Sequence, residues 1–185
     1  MTMHPLLEKL SGGDRRSIGR SNQVVGDVIA DTKLFEVIFD GIMNEDPLIR
    51  MRCADAVEKI TLLHPELLQK YKKTIIQVLP EIEQPEVRWH TAQLFSRLKL
   101  NRRDRRRVYG ILQKFLSDRN QSSIVKTFSM QALADLAAAD VELRLPITHQ
   151  IEELTATGTP AMKSRGKRLL KVFKVEIVFF QSRLR

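Results

Sequence analysis

The chain predicts an all-α fold of stacked helix pairs with no sheet, and three observations carry this expectation. First, the sequence matches itself at an offset of 38 residues: Ile49-Arg50, Val87-Arg88 and Val125-Lys126 coincide, as do Pro47 with Pro85, Ala54 with Ala92, and the apolar sets Val57/Phe95/Leu133 and Ile60/Leu98/Leu136. Second, apolar residues inside each unit recur at helical spacing, as in Leu34/Ile38/Ile42, Tyr71/Ile75/Leu79 and Val108/Leu112/Leu116. Third, 185 residues with 43% apolar and 29% charged content can bury a continuous core.

Taken in order, Pro5–Leu10 and Asp14–Ala30 read as a shortened leading pair joined at Gly12-Gly13. Three regular repeats follow over residues 32–139, each a first helix on one of the stripes above and then a second helix: Pro47–Leu62, Pro85–Leu98 and Ser122–Ala138. Proline suits the first position of a helix because its missing N–H would have no partner there, and Asp46 is placed to cap the first of these helices. Residues 140–185 form a less regular closing pair: Val141–Thr155, with Ile147, Ile151 and Leu154, and a long helix from Thr159-Pro160 onward. That gives about five antiparallel pairs in one domain spanning 1–185, with 1–31 and 140–185 as irregular ends. The last helix carries the stripe Leu169, Phe173, Ile177, Phe180 and Leu184, and its overrun past the preceding unit makes Phe173, Ile177, Phe180 and Leu184 a candidate self-association surface for a homodimer. Val175–Phe180 is also β-prone, so a strand competes with the helix there.

The formal net charge is +9, unevenly distributed. Lys163–Arg185 holds eight Lys/Arg against one Glu, Arg97–Arg107 seven bases against Asp104, and Asp31–Glu66 four bases against eight acids. A single cysteine, Cys53, permits no internal disulfide, and a reduced cytoplasm is the expected compartment. The N-terminus lacks the pattern of an export signal, and no apolar run approaches the roughly 20 residues of a membrane span.

The starts of the second helices, Asp46-Pro47-x-Ile49-Arg50-x-x-x-Ala54, Gln84-Pro85-x-Val87-Arg88-x-x-x-Ala92 and more loosely Ser122–Met130, resemble the HEAT-repeat (armadillo-like) family over roughly residues 32–174. The resemblance implies a right-handed α-solenoid whose second helices line a concave face. It also implies a structural part for Arg50, Arg88, Lys126 and the shifted equivalent Lys163, bonded to acidic or carbonyl groups of adjacent repeats.

On that reading the concave face offers Met51, Asp55 and Glu58, then Trp89, Gln93 and Ser96, then Thr127, Gln131 and Ala134, flanked by Arg52, His90 and Phe128. The expected partner-binding set is Met51, Arg52, Asp55, Trp89, His90, Gln93 and Phe128. Trp89 is the only tryptophan, and it reads either as an exposed anchor or as filler packed between adjacent helices. A candidate phosphate-binding set comprises Arg102, Arg103, Arg105, Arg106 and Arg107 at the start of a first helix, with Lys163, Lys167 and Lys171, whose face Lys174 continues; a solvated helix face competes with this reading. Gly12–Ser17 places glycines and arginines at a helix start, a geometry able to hold an anion, and also reads as a cap.

Catalytic chemistry finds little support. His4, His64, His90 and His149 are scattered, Cys53 stands alone, and no metal-binding spacing occurs. Cys53 aligns with Thr91 and Ser129 at a small, core-facing position, which argues against a nucleophile. A weaker resemblance, to bacterial alkylpurine DNA glycosylases built of HEAT-like repeats, rests on Trp89; the carboxylate that family places one turn later is here Gln93, and a glutamine cannot stabilise a cationic sugar as a carboxylate does. The expected function is therefore a cofactor-free, non-enzymatic protein-binding or scaffold module. Nucleic-acid backbone binding is the alternative, and a glycosylase-like protein lacking its Asp the remote one.

Overall fold

A computed structural model describes residues 3–14 and 16–183, with side-chain surroundings through Phe173. Among the described residues there are ten α-helices, four short 3-10 segments and no strand. They fall into two compact units, residues 1–101 and 102–185.

The first unit holds α1 (Pro5–Glu8), α2 (Ser21–Ala30), α3 (Phe35–Asp40), α4 (Pro47–Leu63), α5 (Lys72–Gln77) and α6 (Pro85–Phe95). Helix α4 is its spine, packing on α2, α3 and α6. Pro47 and Pro85 open α4 and α6 as expected, and the Asp46 carboxylate accepts the Leu48 N–H at 2.8 Å. The first helices of these repeats are shorter than their stripes predict: 3-10 segments at Thr32–Leu34 and Gly41–Met43 flank α3, and others at Pro65–Tyr71 and Leu79–Glu81 flank α5. Local chemistry explains two of these breaks. Pro80 has no N–H with which to continue the helix ladder, and Gly41 lies so close to α4 that a Cβ there would overlap Cys53 Sγ and crowd Leu7. Arg50 ties the repeats together: Nε donates to Gln84 Oε1 at 2.9 Å and Nη1 to the carbonyl of Asn44 at 2.9 Å, while Gln84 Nε2 donates to the Pro47 carbonyl at 2.8 Å. Arg88 Nε donates to the Ile82 carbonyl at 3.1 Å.

The leading pair departs most from expectation. Helix α2 begins at Ser21, not Asp14, because the carbonyls of Leu10, Gly12, Asp14 and Ser17 turn onto a side chain of α4. Arg52 is 1% exposed and has no carboxylate at its head. Its Nη1 donates to the carbonyls of Leu10 and Gly12 at 2.7 Å, its Nη2 to those of Asp14 and Ser17 at 3.1 Å, and its Nε to that of Ser17 at 3.1 Å. All five N–H groups of the guanidinium thus find carbonyl dipoles. Turning those carbonyls inward requires left-handed backbone at Gly12, Gly13 and Gly19, with φ of 68°, 80° and 57°. Asp14 closes the turn by accepting the N–H groups of Arg16 and Ser17 at 2.9 and 3.2 Å. Because carbonyl oxygens converge here, the loop is built for a cation, which overturns its reading as an anion cradle.

The second unit holds α7 (Arg102–Ser117), α8 (Ser123–Ala139), α9 (Val141–Thr157) and α10 (Pro160–Arg183). Helix α8 packs on the other three and is its most buried element, while α10 also packs on α9. Asp140 serves two elements, accepting the Glu142 N–H at 3.2 Å as the cap of α9 and Arg105 Nε at 3.0 Å from α7. Gly166 permits the close passage of α10 over α9, where a Cβ would overlap Thr155 Oγ1. The backbone of α10 is helical through Val175–Phe180, which settles the strand alternative against it. Phe173 is 4% exposed and therefore belongs to the unit's core, not to a self-association surface; the side chains of Ile177 and Phe180, and Leu184 altogether, lie outside the described residues.

Positions aligned at the repeat offset share one environment. Ile49, Val87 and Val125 are fully buried, as are Val57, Phe95 and Leu133, and the small set Cys53, Thr91 and Ser129.

Replacing Arg52 with Met should cost about 3–5 kcal/mol in urea denaturation, since it leaves the turned-in carbonyls unpaired, and Lys, with three donors on a flexible stem, should restore little of it. Gly12→Ala and Gly19→Ala share the positive-φ penalty of about 1–2 kcal/mol. Gly19→Ala should lose more, because its Cβ would fall 2.9 Å from Arg52 Cζ whereas that of Gly12 meets nothing within 4 Å. Equal losses at the two glycines would count against this account of the loop.

Candidate functional site

In the first unit the predicted face is built from α2, α4 and α6, and much of it is used internally. Arg52 holds the 10–19 loop, Met51 is 9% exposed and His90 8% exposed, so none of these three side chains stands out toward a partner. For the α4 residues the physical reason is cover: α2 and the preceding loop lie against α4, and helical periodicity within α4 does not register them; His90 lies on α6, which packs on α4. Trp89, Asp55 and Gln93 are half-buried and keep part of their surface. Trp89 meets the His90 ring edge-on, with centroids 5.4 Å apart, so it is packed on one side and open on another.

Around it runs a polar network that was not expected from sequence. Asp55 Oδ2 accepts from Ser21 Oγ at 2.6 Å and from Lys59 Nζ at 2.7 Å, and Lys59 reaches Asn22 Oδ1 at 3.0 Å. Arg97 pairs with Glu58 and donates to Thr61 Oγ1 at 2.8 Å. Gln93 Nε2 lies 3.4 Å from His90 Nδ1. Asp55 and Lys59, and Glu58 and Arg97, are thus paired with opposite charges. Glu58 and Arg97 stand 39 positions apart, close to the repeat length, and that was the signal available. Burial pushes the His90 pKa down to about 4, so the ring is neutral at neutral pH.

A second concavity of about 290 Å³ lies between Phe35, Glu36, Glu66, Leu67, Lys70 and Tyr71. Tyr71 stacks on Phe39 at 4.0 Å, and Lys70 Nζ sits 5.3 Å from the Tyr71 ring centre and 3.0 Å from Glu36 Oε2. Its charges are also mixed, with Lys33 and Glu66 beside the Lys70–Glu36 pair.

Phe128 belongs to the second unit, where it is half-buried beneath the Arg165 guanidinium at 5.3 Å; Arg165 Nη1 donates to Gln131 Oε1 at 2.9 Å. Of the arginine run, Arg102 bonds the Glu142 carboxylate at 2.8 and 2.9 Å, and Arg105 bonds Asp140. Those two serve the α7–α9 contact, whereas Arg103, Arg106 and Arg107 are exposed. Lys163, Lys167 and Lys171 are exposed on α10, so Lys163 does not take the buried structural part its register implied.

The thiol of Cys53 is buried, with its pKa pushed up to about 12 by desolvation, which leaves it unreactive at neutral pH. Among the described residues no group of three His, Cys, Asp or Glu side chains converges as a metal site, and no helix is long and apolar enough to cross a membrane.

His90 yields a pH prediction. The unfolded chain takes up a proton near the usual histidine value of about 6.5, whereas the folded ring resists it down to about 4. The unfolded state therefore binds more protons in that window, and stability present above about pH 6.5 is lost as pH falls, by roughly 3 kcal/mol in total. His90→Gln should show a shallower decline in denaturation free energy between pH 7 and 4.5; parallel declines would remove His90 as the cause.

Compared with family models, curated proteins and solved structures, the chain matches none.

Proposed function

We propose that the chain is a HEAT-like, right-handed α-solenoid of about five helix pairs, and that it serves as a non-enzymatic protein-binding or scaffold module. Support for the repeat architecture comes from the spacing of its polar ties. Ser21–Asp55, Asn22–Lys59, Glu36–Lys70, Arg50–Gln84, Glu58–Arg97, Arg102–Glu142, Gln113–Gln150 and Gln131–Arg165 span 34 to 40 positions, about one repeat each. Such nearest-neighbour bonding is what a one-dimensional stack requires.

The observation that carries the binding reading is Trp89: the chain's one tryptophan, partly open, on a face where Asp55 is already paired with Lys59 and Glu58 with Arg97. A rigid amphipathic aromatic beside such pairs suits a protein surface, since desolvating a pair strands no lone charge. Asp55 and Gln93 supply directional contacts beside it. Base-excision chemistry is not part of this proposal, because the residue one turn after Trp89 is an amide and Cys53 is inert.

The test compares captured proteins for the full chain, Trp89→Ala, and an exposed control, Lys73→Ala, from the same extract at moderate salt. At least one protein should bind wild type and control yet bind the Trp89 variant about 30-fold more weakly, as expected for an anchor of about 2 kcal/mol. Emission from the single tryptophan should shift to the blue when that partner is added. Identical capture by all three chains would sink the reading.

A further inference from the structure

The formal charge of +9 is not shared between the two units. Residues 1–101 carry 14 Lys/Arg and 14 Asp/Glu, whereas residues 102–185 carry 17 Lys/Arg and eight Asp/Glu. The excess lies wholly in the second unit.

Within that unit the bases divide by what they touch. Arg102 and Arg105 neutralise Glu142 and Asp140, and Arg165 is half-buried against Phe128 and Gln131. Lys163, Lys167, Arg168 and Lys171, like Arg103, Arg106 and Arg107 of α7, are exposed, and none of the four makes an ion pair among the described residues; they differ from the α7 run in that no acid interrupts their row. At 100° per residue the three lysines fall within an arc of about 80°, Arg168 widens it to about 140°, and the row from Lys163 to Lys171 is about 12 Å long. No acid occurs in α10 before Glu176. Like charges at i, i+4 repel, and Lys163 sits in the first turn, where the helix dipole disfavours a cation. Packing of the unit relieves neither cost, whereas an external polyanion would relieve both.

The row is rigidly mounted. Met162, Leu169 and Phe173 are buried on the opposite face, and the Gly166–Thr155 contact sets α10 against α9.

We propose that the exposed face of α10 binds the phosphate backbone of double-stranded nucleic acid, with Lys163, Lys167, Arg168 and Lys171 making the phosphate contacts. This inference stands apart from the Trp89 reading, since it concerns other residues in the other unit. The chemistry of the face selects the class of polyanion. A membrane-surface helix needs its apolar side for the lipid, and here that side is consumed in the core. Single-strand binders stack bases on exposed aromatics, and the exposed residues of α10 from Pro160 to Val172 include none. Asn and Gln, which read adenine edges, are absent from this stretch, so binding is independent of sequence.

The experiment is fluorescence anisotropy of a labelled mixed-sequence DNA duplex titrated with the full chain at 50 and 200 mM KCl. Four phosphate contacts give a log–log salt slope of about −3.6, a weakening of roughly 150-fold over that range. Lys163→Gln/Lys167→Gln/Lys171→Gln should reduce the slope by about 2.7 and lower affinity at 50 mM at least tenfold. Its helix content should match wild type, because only exposed side chains change; the single Lys167→Glu variant should weaken binding in the same direction. Arg103→Gln/Arg106→Gln/Arg107→Gln and Trp89→Ala should each stay within about twofold of wild type, because these contacts lie elsewhere. The proposal is overturned by no duplex binding at 50 mM, by unchanged binding in the folded α10 triple variant, by loss confined to the α7 triple variant, or by binding to anionic phosphatidylserine vesicles without binding to duplex.

Discussion

A single buried guanidinium organises the first unit. Arg52 has left water without a carboxylate to meet it, and bare transfer of such a charge into a protein interior would cost several kcal/mol. Five hydrogen bonds to four carbonyls replace its hydration, and each carbonyl is supplied by the loop before α2. The loop has no regular hydrogen-bond ladder of its own, so the relation is reciprocal: Arg52 satisfies carbonyls that would otherwise point into the core, and they satisfy Arg52. Three glycines at positive φ make the wrapping sterically accessible. The loop then delivers Ser21 to the start of α2, where its hydroxyl reaches Asp55. The order around Asp55 thus descends from an arginine that makes no bond to it.

A second constraint repeats along the chain. Gln84 receives from Arg50 and gives to the Pro47 carbonyl, Asp140 receives from Arg105 while capping α9, and Gln113 and Gln150 exchange amide bonds at 2.7 and 2.6 Å. Gln84 and Asp140 are forks, each serving both a backbone group at a helix start and a side chain of another helix, while Gln113 and Gln150 tie α7 to α9. Such bonds fix the placement of one helix on another more sharply than apolar contact, which is non-directional. Damage to one of them should accordingly stay local to the helices it joins.

These layers were legible from sequence to different degrees, for physical reasons. The helix starts at Pro47 and Pro85, the buried sets at 49/87/125 and 57/95/133, and the inert position at 53/91/129 were readable because each depends on periodicity or on one residue's backbone chemistry. The fate of Met51, Arg52 and His90 was not. Periodicity gives the face of a helix on which a residue lies, but whether that face is open depends on what a distant segment lays over it. Asp14–Arg20 misled for a related reason: its composition fits a helix start, while its conformation answers to Arg52, 35 or more positions away. The shortening of α3 and α5 was partly signalled by Gly41 and Pro80, whose steric and hydrogen-bond consequences outweigh an apolar stripe.

The charges complete the same logic. Where a base meets an acid on another helix or its cap, as Arg97 meets Glu58 or Arg105 meets Asp140, it helps to hold those elements together and is no longer available to an outside ligand. The first unit, with equal numbers of acids and bases, places its conspicuous ion pairs on such internal duties, and what it leaves open is an aromatic. The second unit has more than twice as many bases as acids, so internal pairing must run out. On α10, whose inner side is occupied by the core, it leaves an outer row of four cations between Lys163 and Lys171 with no acid among them. Because a helix holds i and i+4 residues about 6 Å apart along its axis, surplus charge there becomes an ordered row and not a diffuse cloud, and an ordered row on a fixed helix is the form of positive charge that a regular phosphate backbone can meet at several points at once.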